Sequence, residues 1–193
     1  MPKLYFRHGA VSSAKTLELL SVSHTYHIQG KKCVVMKPAI DTRFGQAIVR
    51  SRAGLSQTAD VVITSDTDLS QMPIPEIVHC VVVDEAQFLS AHHIEQLRDL
   101  TVSWNVPVIC YGLRTDFRTK LFTGSKRLLE LADSIEEIKI TCVSCDSKAI
   151  FNLKHVNGIG RFDGPVVELG EGEIYKPVCY QCYRSASDFY LEK

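Results

Sequence analysis

The N-terminal third of the chain shows apolar runs that are typical of buried strands, separated by one helical pattern. "KLYF" (residues 3–6) predicts a strand. In the segment that ends at Gly30, Leu17, Leu20, Val22 and Tyr26 recur near helical spacing, and Gly30 suits a helix end. Further apolar runs, expected for parallel strands buried on both faces, are "KKCVVMKP" (31–38), "ADVVITS" (59–65), "IVHCVVVDEAQ" (77–87) and "VPVICYG" (106–112).

Helical patterns also separate the later strands. Ser90 is placed to cap a helix that keeps Ile94, Leu97 and Leu100 on one face. Residues 124–133, "GSKRLLELAD", predict another helix, and 134–140, "SIEEIKI", predict a last strand. Strands that alternate with helices over about 140 residues predict an α/β fold with a mainly parallel sheet flanked by helices.

From Thr141 onward the pattern changes to cysteine pairs, glycines and short alternating stretches. We therefore expect an α/β domain over residues 1–140 and a small second domain over 141–193. Two CxxC pairs lie in the second, and together they supply four thiolates for one tetrahedral, structural zinc: Cys142, Cys145, Cys179 and Cys182. The alternative is four unrelated buried thiols, which the paired spacing disfavours.

Composition narrows the class of partner. Lys and Arg total 22 and Asp and Glu total 22, so the net charge is zero and no overall basic field indicates nucleic acid or an anionic membrane. No apolar run approaches the roughly 18 to 20 residues of a membrane span, and "MPKLYFRH" lacks the apolar core of a signal peptide. We expect a cytoplasmic protein with small-molecule partners.

The loop after the first strand resembles a phosphate-binding loop. Gly9 is followed, after four residues, by Ala14, Lys15 and Thr16, where Gly-Lys-Thr is expected. Backbone N–H groups and the helix N-terminus would hold phosphate oxygens, Lys15 would reach the outer phosphates, and the Thr16 hydroxyl would bind Mg²⁺. If position 14 needs a positive φ, alanine costs about 1 kcal/mol relative to glycine. We expect this to weaken ATP binding without abolishing it.

A strand of valines ends in two carboxylates, Asp84 and Glu85, in "VVVDEAQF". At the carboxyl edge of a parallel sheet such side chains meet a bound ligand. In a nucleotide enzyme one carboxylate can hold magnesium while the other receives the proton of the attacking hydroxyl. Alternatively, both carboxylates only favour the positive end of the next helix. The upstream Gly-x4-Ala-Lys-Thr favours the catalytic interpretation.

With these motifs in this order, the chain resembles the zinc-containing P-loop thymidine kinases over nearly its whole length. The resemblance is carried by "LYFRHG", "AKT", "KPAIDTRFG", "SRAGL", "VVVDEAQFL", "CYGLRTDFRTKLFTGS", "IEEIKITCVSC" and "EIYKPVCYQC". It implies a P-loop, RecA-like domain with a small C-terminal zinc-ribbon and lasso domain. It also implies Mg²⁺-dependent transfer of the ATP γ-phosphate to the 5′-hydroxyl of thymidine, for nucleotide salvage, with deoxyuridine as a candidate second acceptor.

The resemblance assigns roles to individual residues at the phosphate end. Glu85 is implied as the general base and Asp84 as its metal-side neighbour, while Asp41 and Arg43 assist at the metal and the phosphates. Thr16 and Asp41 are the implied magnesium ligands. The whole implied ATP and phosphate set is Gly9, Ala10, Val11, Ser12, Ser13, Ala14, Lys15, Thr16, Asp41, Arg43, Asp84 and Gln87.

At the nucleoside end, the resemblance implies a long loop, the lasso, over about residues 152–175, which is tied down by the zinc and encloses the base. The implied substrate residues are Val11, Phe88, Leu113, Phe117, Asn152, Val166, Glu168, Gly170 and Tyr175. Val11 stands where the family usually has methionine. The resemblance further implies a homotetramer and feedback inhibition by thymidine triphosphate.

Two other functions remain open at this point. One is a catalytically silent homologue that binds nucleoside or nucleotide as a sensor, with Ala14 as its mark; the retained Lys15, Thr16, Asp41, Arg43 and Glu85 argue against it. The other is a nucleic-acid-binding zinc ribbon beside an ATPase, which the zero net charge disfavours.

Overall fold

A computed structural model describes residues 1–73, 77–156, 159–166 and 175–191. Its elements, in chain order, are β1 (Leu4–His8), α1 (Lys15–Ile28), β2 (Cys33–Pro38), β3 (Ile48–Arg50), β4 (Ser56–Thr58), β5 (Val61–Ile63), β6 (Cys80–Val83), α2 (Ala91–Ser103), β7 (Val108–Gly112), α3 (Thr123–Leu131), β8 (Ser134–Glu137), β9 (Phe151–Val156), β10 (Ile159–Arg161), β11 (Tyr175–Val178) and α4 (Tyr180–Leu191).

Six parallel strands form the main sheet, in the order β5–β2–β6–β7–β1–β8. The central strands are apolar and buried because helices cover both faces. On one face Leu4, Val81 and Val108 pack with the apolar side of α2 and α3. On the other face Val35 and Val82 pack with Leu19 of α1. The predicted parallel α/β sheet is therefore confirmed.

Local chemistry explains where α2 begins and where α1 ends. The Ser90 hydroxyl accepts a hydrogen bond from the backbone N–H of His93, which confirms the predicted cap of α2. Ile94, Leu97 and Leu100 all lie in the core, as their spacing predicts. Gly30, just beyond α1, adopts φ +69°, the left-handed conformation that glycine accepts without strain.

A small hairpin between β2 and β5 was not predicted from the sequence. Strands β3 and β4 pair antiparallel outside the main sheet. The hairpin is attached to α1 by a hydrogen bond of 2.9 Å from the Ser23 hydroxyl to the side-chain oxygen of Gln57. The segment between the two strands carries Ser51, Arg52 and Ala53 to the carboxyl edge of the main sheet.

The C-terminal part forms its own antiparallel sheet, β10–β9–β11, with α4 packed against it. The prediction of one long loop over 152–175 is wrong at both ends of that segment, because β9 extends to Val156, β10 spans Ile159–Arg161 and β11 begins at Tyr175; residues 162–166 form no strand. Leu153 packs in a core with Tyr183 of α4 and with Ala10 of the loop after β1. Glu168 and Gly170 lie outside the described residues. No helix in the described part of the chain has the length and apolar character needed to span a bilayer.

Candidate active site

The loop between β1 and α1 contains two non-glycine residues with a left-handed backbone. Ala14 has φ 65° and ψ 19°, directly before the first residue of α1, and Ser12 has φ 63°. Position 14 is therefore left-handed, as the sequence comparison with Gly-Lys-Thr suggested, and the alanine methyl group strains it. Gly9 is required by space, since a Cβ there would lie 2.4 Å from the Ile138 carbonyl oxygen.

Lys15, the first residue of α1, is buried beneath this loop. Its Nζ donates hydrogen bonds to the carbonyl oxygens of Gly9 (3.0 Å) and Ala10 (2.8 Å) and to the Ser13 hydroxyl (3.3 Å). Burial lowers the pKa of the Lys15 ammonium to about 8, against the opposing effect of the Glu85 and Asp84 carboxylates. The side chain also lines the cavity described below, where it can meet an anionic ligand.

Thr16 and Asp84 bring a hydroxyl and a carboxylate together. Thr16 Oγ1 donates to Asp84 Oδ2 at 3.1 Å, although Thr16 lies in the first turn of α1 and Asp84 follows β6. Burial raises the pKa of Asp84, and the adjacent Glu85 carboxylate raises it further. These two oxygen donors are of the kind that Mg²⁺ prefers.

Arg43 joins the two remaining predicted carboxylates. Its Nε donates to Asp41 Oδ1 at 2.7 Å, and its Nη2 donates to Glu85 Oε1. The second Asp41 oxygen, Oδ2, forms an ion pair of 3.2 Å with Nζ of Lys37, a side chain that is only 1% exposed. Glu85 itself has a left-handed backbone, φ 49° and ψ 36°, at the end of β6. The predicted Asp41, Arg43 and Glu85 are thus one connected group.

Gln87 differs from its predicted place at the phosphates. It is 1% exposed and is not among the described residues that line the cavity. Its Nε2 donates to Glu85 Oε2, and its Oε1 accepts a hydrogen bond of 3.0 Å from the backbone N–H of Leu113. The Gln87 side chain therefore contacts Glu85, the expected base, from the protein interior and not from the cavity.

A single cavity of about 380 Å³ runs from the loop to an aromatic end. Val11, Ser12, Ala14, Lys15, Thr16, Arg43 and Glu85 of the predicted set line it at the loop end. Phe88, Leu113, Phe117, Asn152, Val166 and Tyr175 line the remainder. Gly9, Ala10, Ser13, Asp41 and Asp84 lie nearby but are not among the lining residues that the structure describes.

The sequence interpretation missed several lining residues, which are Leu17, Ser51, Arg52, Ala53, Thr115, Asp116 and Phe122. Arg52 is the most informative, since its Nη1 donates a hydrogen bond of 2.6 Å to the Ser12 hydroxyl and so brings a guanidinium group to the loop. "SRAGL" was among the segments that carried the resemblance, but no role was attached to its residues.

The four cysteines predicted to bind zinc converge. Their ligand atoms all lie within 4.8 Å of one another, and Sγ of Cys145 is 3.6 Å from Cys179 and 3.7 Å from Cys182. A tetrahedral zinc with Zn–S bonds of about 2.3 Å separates its sulfurs by about 3.8 Å. The cluster therefore fits a closed zinc site, next to β9 and β11.

Comparisons with known proteins agree with this geometry. The family model described as thymidine kinase matches residues 2–183. The thymidine kinase of Streptococcus gordonii is 44% identical over 185 residues, which cover 95% of this chain and 96% of the relative. The thymidine kinases of Streptococcus pyogenes and Lactiplantibacillus plantarum are each 42% identical over 185 residues, with 95% of this chain and 97% and 96% of the relatives covered.

Proposed function

The chain belongs to the thymidine kinase family, and we propose that it transfers the γ-phosphate of ATP to the 5′-hydroxyl of thymidine. One observation carries the proposal: Glu85 lines a single cavity whose one end is the phosphate-type loop and whose other end is aromatic. A carboxylate at this position can take a proton from an acceptor that lies between the two ends.

At the phosphate end, the backbone N–H groups of the loop, the N-terminus of α1 and Lys15 hold the ATP phosphates. Thr16 and Asp84 would hold the magnesium that accompanies ATP, and the ion would neutralise charge on the phosphates. Asp41 was predicted as a second magnesium ligand. Because its oxygens bind Lys37 and Arg43, we assign it instead the role of orienting Arg43.

Arg43 and Glu85 form an ion pair in the described arrangement. A guanidinium group binds phosphate oxygens well, so the ATP phosphates compete with Glu85 for Arg43. When Arg43 turns to the phosphates, Glu85 Oε1 becomes available to the 5′-hydroxyl. Arg43 and Lys15 then stabilise charge at the transferring group while Glu85 accepts the proton.

At the acceptor end, Phe88, Phe117 and Tyr175 form an apolar wall for a flat base. The same cavity joins both ends, so thymidine triphosphate, which carries a thymine and a phosphate chain, fits as a feedback inhibitor. Deoxyuridine fits the same wall without the 5-methyl group. Val11, smaller than the methionine usual in the family, leaves room beside that methyl group.

The cysteine cluster holds one structural zinc per chain in this proposal. Its chemistry supports the assignment, because four thiolates leave no open coordination position for catalysis. Bound by these cysteines, which precede β9 and follow β11, a zinc would link the two strands that carry Asn152 and Tyr175 to the cavity. This lowers the ordering entropy that substrate binding must overcome.

We also propose a homotetramer, on the family resemblance alone. Light scattering of the purified protein is expected to give four times the chain mass of 21.6 kDa. A mass near 21.6 kDa would contradict the tetramer and leave the kinase assignment untouched.

The direct test is incubation of the purified protein with thymidine, ATP and Mg²⁺, followed by chromatography for thymidine 5′-phosphate. We expect product from the wild type and a fall in kcat of about 100-fold or more in Glu85→Gln, because a positioned base contributes 10² to 10⁴ in rate. Glu130→Gln, on the surface of α3, is the matched control and should keep the wild-type rate.

A wild type that binds thymidine in a calorimeter yet forms no product would overturn the kinase assignment, because this is the behaviour of a sensor. If product then forms only with Ala14→Gly, the loop is the defect and the sensor interpretation is favoured. A Glu85→Gln variant with the wild-type rate would contradict the role of Glu85 as the base and leave the kinase assignment in place.

A further inference from the structure

We propose that Gln87 is a positioning residue that holds the base Glu85 at a fixed distance from the wall of the acceptor pocket. The inference rests on the kinase function proposed above, because it assigns a role within that reaction. Gln87 lies outside the cavity, so it acts through Glu85 and Leu113 rather than by contact with a substrate.

The side-chain amide of Gln87 connects two elements of the site. Its NH₂ group donates to Glu85 Oε2, and its oxygen accepts from the backbone N–H of Leu113 at 3.0 Å. A carboxylate can only accept and a backbone N–H can only donate, so only one orientation of the amide satisfies both partners. The amide therefore bridges the base, which follows β6, and Leu113, which follows the adjacent β7 and lines the cavity.

Burial and the space beside Gly112 hold the Gln87 amide in this position. Gln87 is 1% exposed, so water does not compete for its hydrogen bonds. Gly112 provides the space, because a Cβ at that position would lie 2.6 Å from Gln87 Oε1 and 3.1 Å from the backbone nitrogen of Gln87. Gly112 is not among the described residues with positive φ, so closeness to Gln87, rather than backbone conformation, is what requires glycine.

The two oxygens of Glu85 have different partners, and this divides their roles. Arg43 binds Oε1 from the cavity side and can turn toward the ATP phosphates, whereas the buried Gln87 keeps Oε2. In the transfer step the 5′-O–H bond breaks, its proton goes to Glu85 Oε1, the oxygen forms a bond to the γ-phosphorus, and the bond from that phosphorus to ADP breaks. Gln87 is the donor that still orients the carboxylate once Arg43 has left it.

Such a role makes a distinct kinetic prediction. A misplacement of about 1 Å between reacting groups lowers a rate by about 100-fold. Loss of the amide should therefore lower kcat, while ATP and thymidine, which do not contact Gln87, keep their KM values. Gln87→Met preserves side-chain length and removes both hydrogen bonds. We expect kcat to fall 10- to 100-fold, about the magnitude of that misplacement, with both KM values within about threefold of wild type.

A double-mutant cycle with Glu85→Gln separates positioning from general structural damage. If Gln87 acts through the Glu85 carboxylate, Gln87→Met should change the residual kcat of Glu85→Gln by less than about twofold. A purely structural role would lower kcat by the same factor in both backgrounds. Gly112→Ala, which displaces the amide while retaining Gln87, should lower kcat in the same direction as Gln87→Met.

Three results would overturn the proposal: a Gln87→Met kcat within twofold of wild type, an equal loss in both backgrounds, or a KM for thymidine that rises by as much as kcat falls. If Gln87→Met does not fold, Gln87→Asn, whose amide is too short to reach both partners, is measured in the same cycle. A wild type without kinase activity would overturn the proposed function itself. An active wild type beside an unaffected Gln87→Met would overturn only this inference.

Discussion

The side-chain oxygen of Asn152 accepts a hydrogen bond of 2.8 Å from the backbone N–H of Val11, in the loop after β1. The amide nitrogen of the same side chain donates to the Thr115 carbonyl oxygen at 3.3 Å. One buried residue of β9 therefore attaches the C-terminal sheet to the loops that follow β1 and β7. Asn152 therefore connects the phosphate-type loop, at one end of the cavity, to the strand that lines its nucleoside end.

Asn152→Ala is expected to lower the free energy of unfolding by about 1 to 3 kcal/mol, because the buried Thr115 carbonyl oxygen and the half-buried Val11 N–H lose their partner. The KM for thymidine should rise more than the KM for ATP, since β9 lies at the nucleoside end. Urea unfolding and steady-state kinetics measure both effects. Gln181→Ala, exposed on α4, should change stability by less than about 0.5 kcal/mol. An Asn152→Ala variant as stable as this control would contradict the connection.

Ala14→Gly is expected to stabilise the protein, because glycine accepts φ 65° without the clash of a Cβ atom. The gain is at most about 1 kcal/mol, since the added freedom of the unfolded chain offsets part of it. The KM for ATP should fall. Ala10→Gly, in the same loop but not among the described residues with positive φ, should instead lower stability. Thermal unfolding of both variants decides the matter, and destabilisation by Ala14→Gly would contradict the strain.

Zinc analysis of protein purified without chelators should give about one zinc per chain, and Cys145→Ser should lose it. The KM for thymidine should then increase, because Asn152 and Tyr175 lie on strands joined to the cysteine pairs. Cys33→Ala alters a cysteine of β2 outside the cluster and should retain the metal. Wild-type protein free of zinc, or equal loss in Cys33→Ala, would refute the assignment.

Asp133 gives the chain an acid-sensitive contribution to stability. Its carboxylate accepts a hydrogen bond of 2.8 Å from the Leu4 N–H, which lowers the pKa of Asp133, and Arg98 lowers it further. Because the pKa is lower in the folded state, this contribution is fully present above the unfolded value of about 3.9 and is lost as the pH falls through the folded value.

The stability difference between wild type and Asp133→Asn should therefore be largest near pH 7 and should shrink below about pH 4. Urea unfolding at a series of pH values measures this difference. Release of zinc in acid affects both proteins equally and cancels in the comparison. Asp99→Asn, on the exposed side of α2, is the matched control. A constant difference across the series would contradict the assignment to Asp133.

The main sheet could be predicted because most of its strands lie in apolar runs, whereas β8, "SIEE", is largely polar and was predicted as part of the longer run "SIEEIKI". β3 and β4 were missed because each has only three residues and β4 is polar throughout. Such short strands show no alternation of apolar and polar residues that could be recognised in the sequence. α4 was missed because its stretch is rich in serine and tyrosine, and its packing of Tyr183 against Phe151 is a tertiary contact.

Within the site, the residues proposed to contact a ligand were easier to foresee than the residues that support them. Lys15, Thr16 and Glu85 belong to motifs whose chemistry can be recognised from local spacing. Gln87 acts through Leu113, which is 26 residues away in sequence, and that distance is closed only by the pairing of β6 with β7. Arg52 reaches the loop only because the hairpin folds onto α1.

The position of β1 has a consequence for synthesis of the chain. β1 leaves the ribosome before the other described strands of its sheet, but its two sheet neighbours are β7, which begins at Val108, and β8, which begins at Ser134. At translation rates of about 5 to 20 residues per second, β1 waits roughly 5 to 20 s for its first partner. During that time Leu4 and Phe6, which are fully buried in the folded protein, have no sheet to cover them. The phosphate loop and α1 gain their final support late, so fragments that end before residue 108 should be poorly soluble and unable to bind ATP.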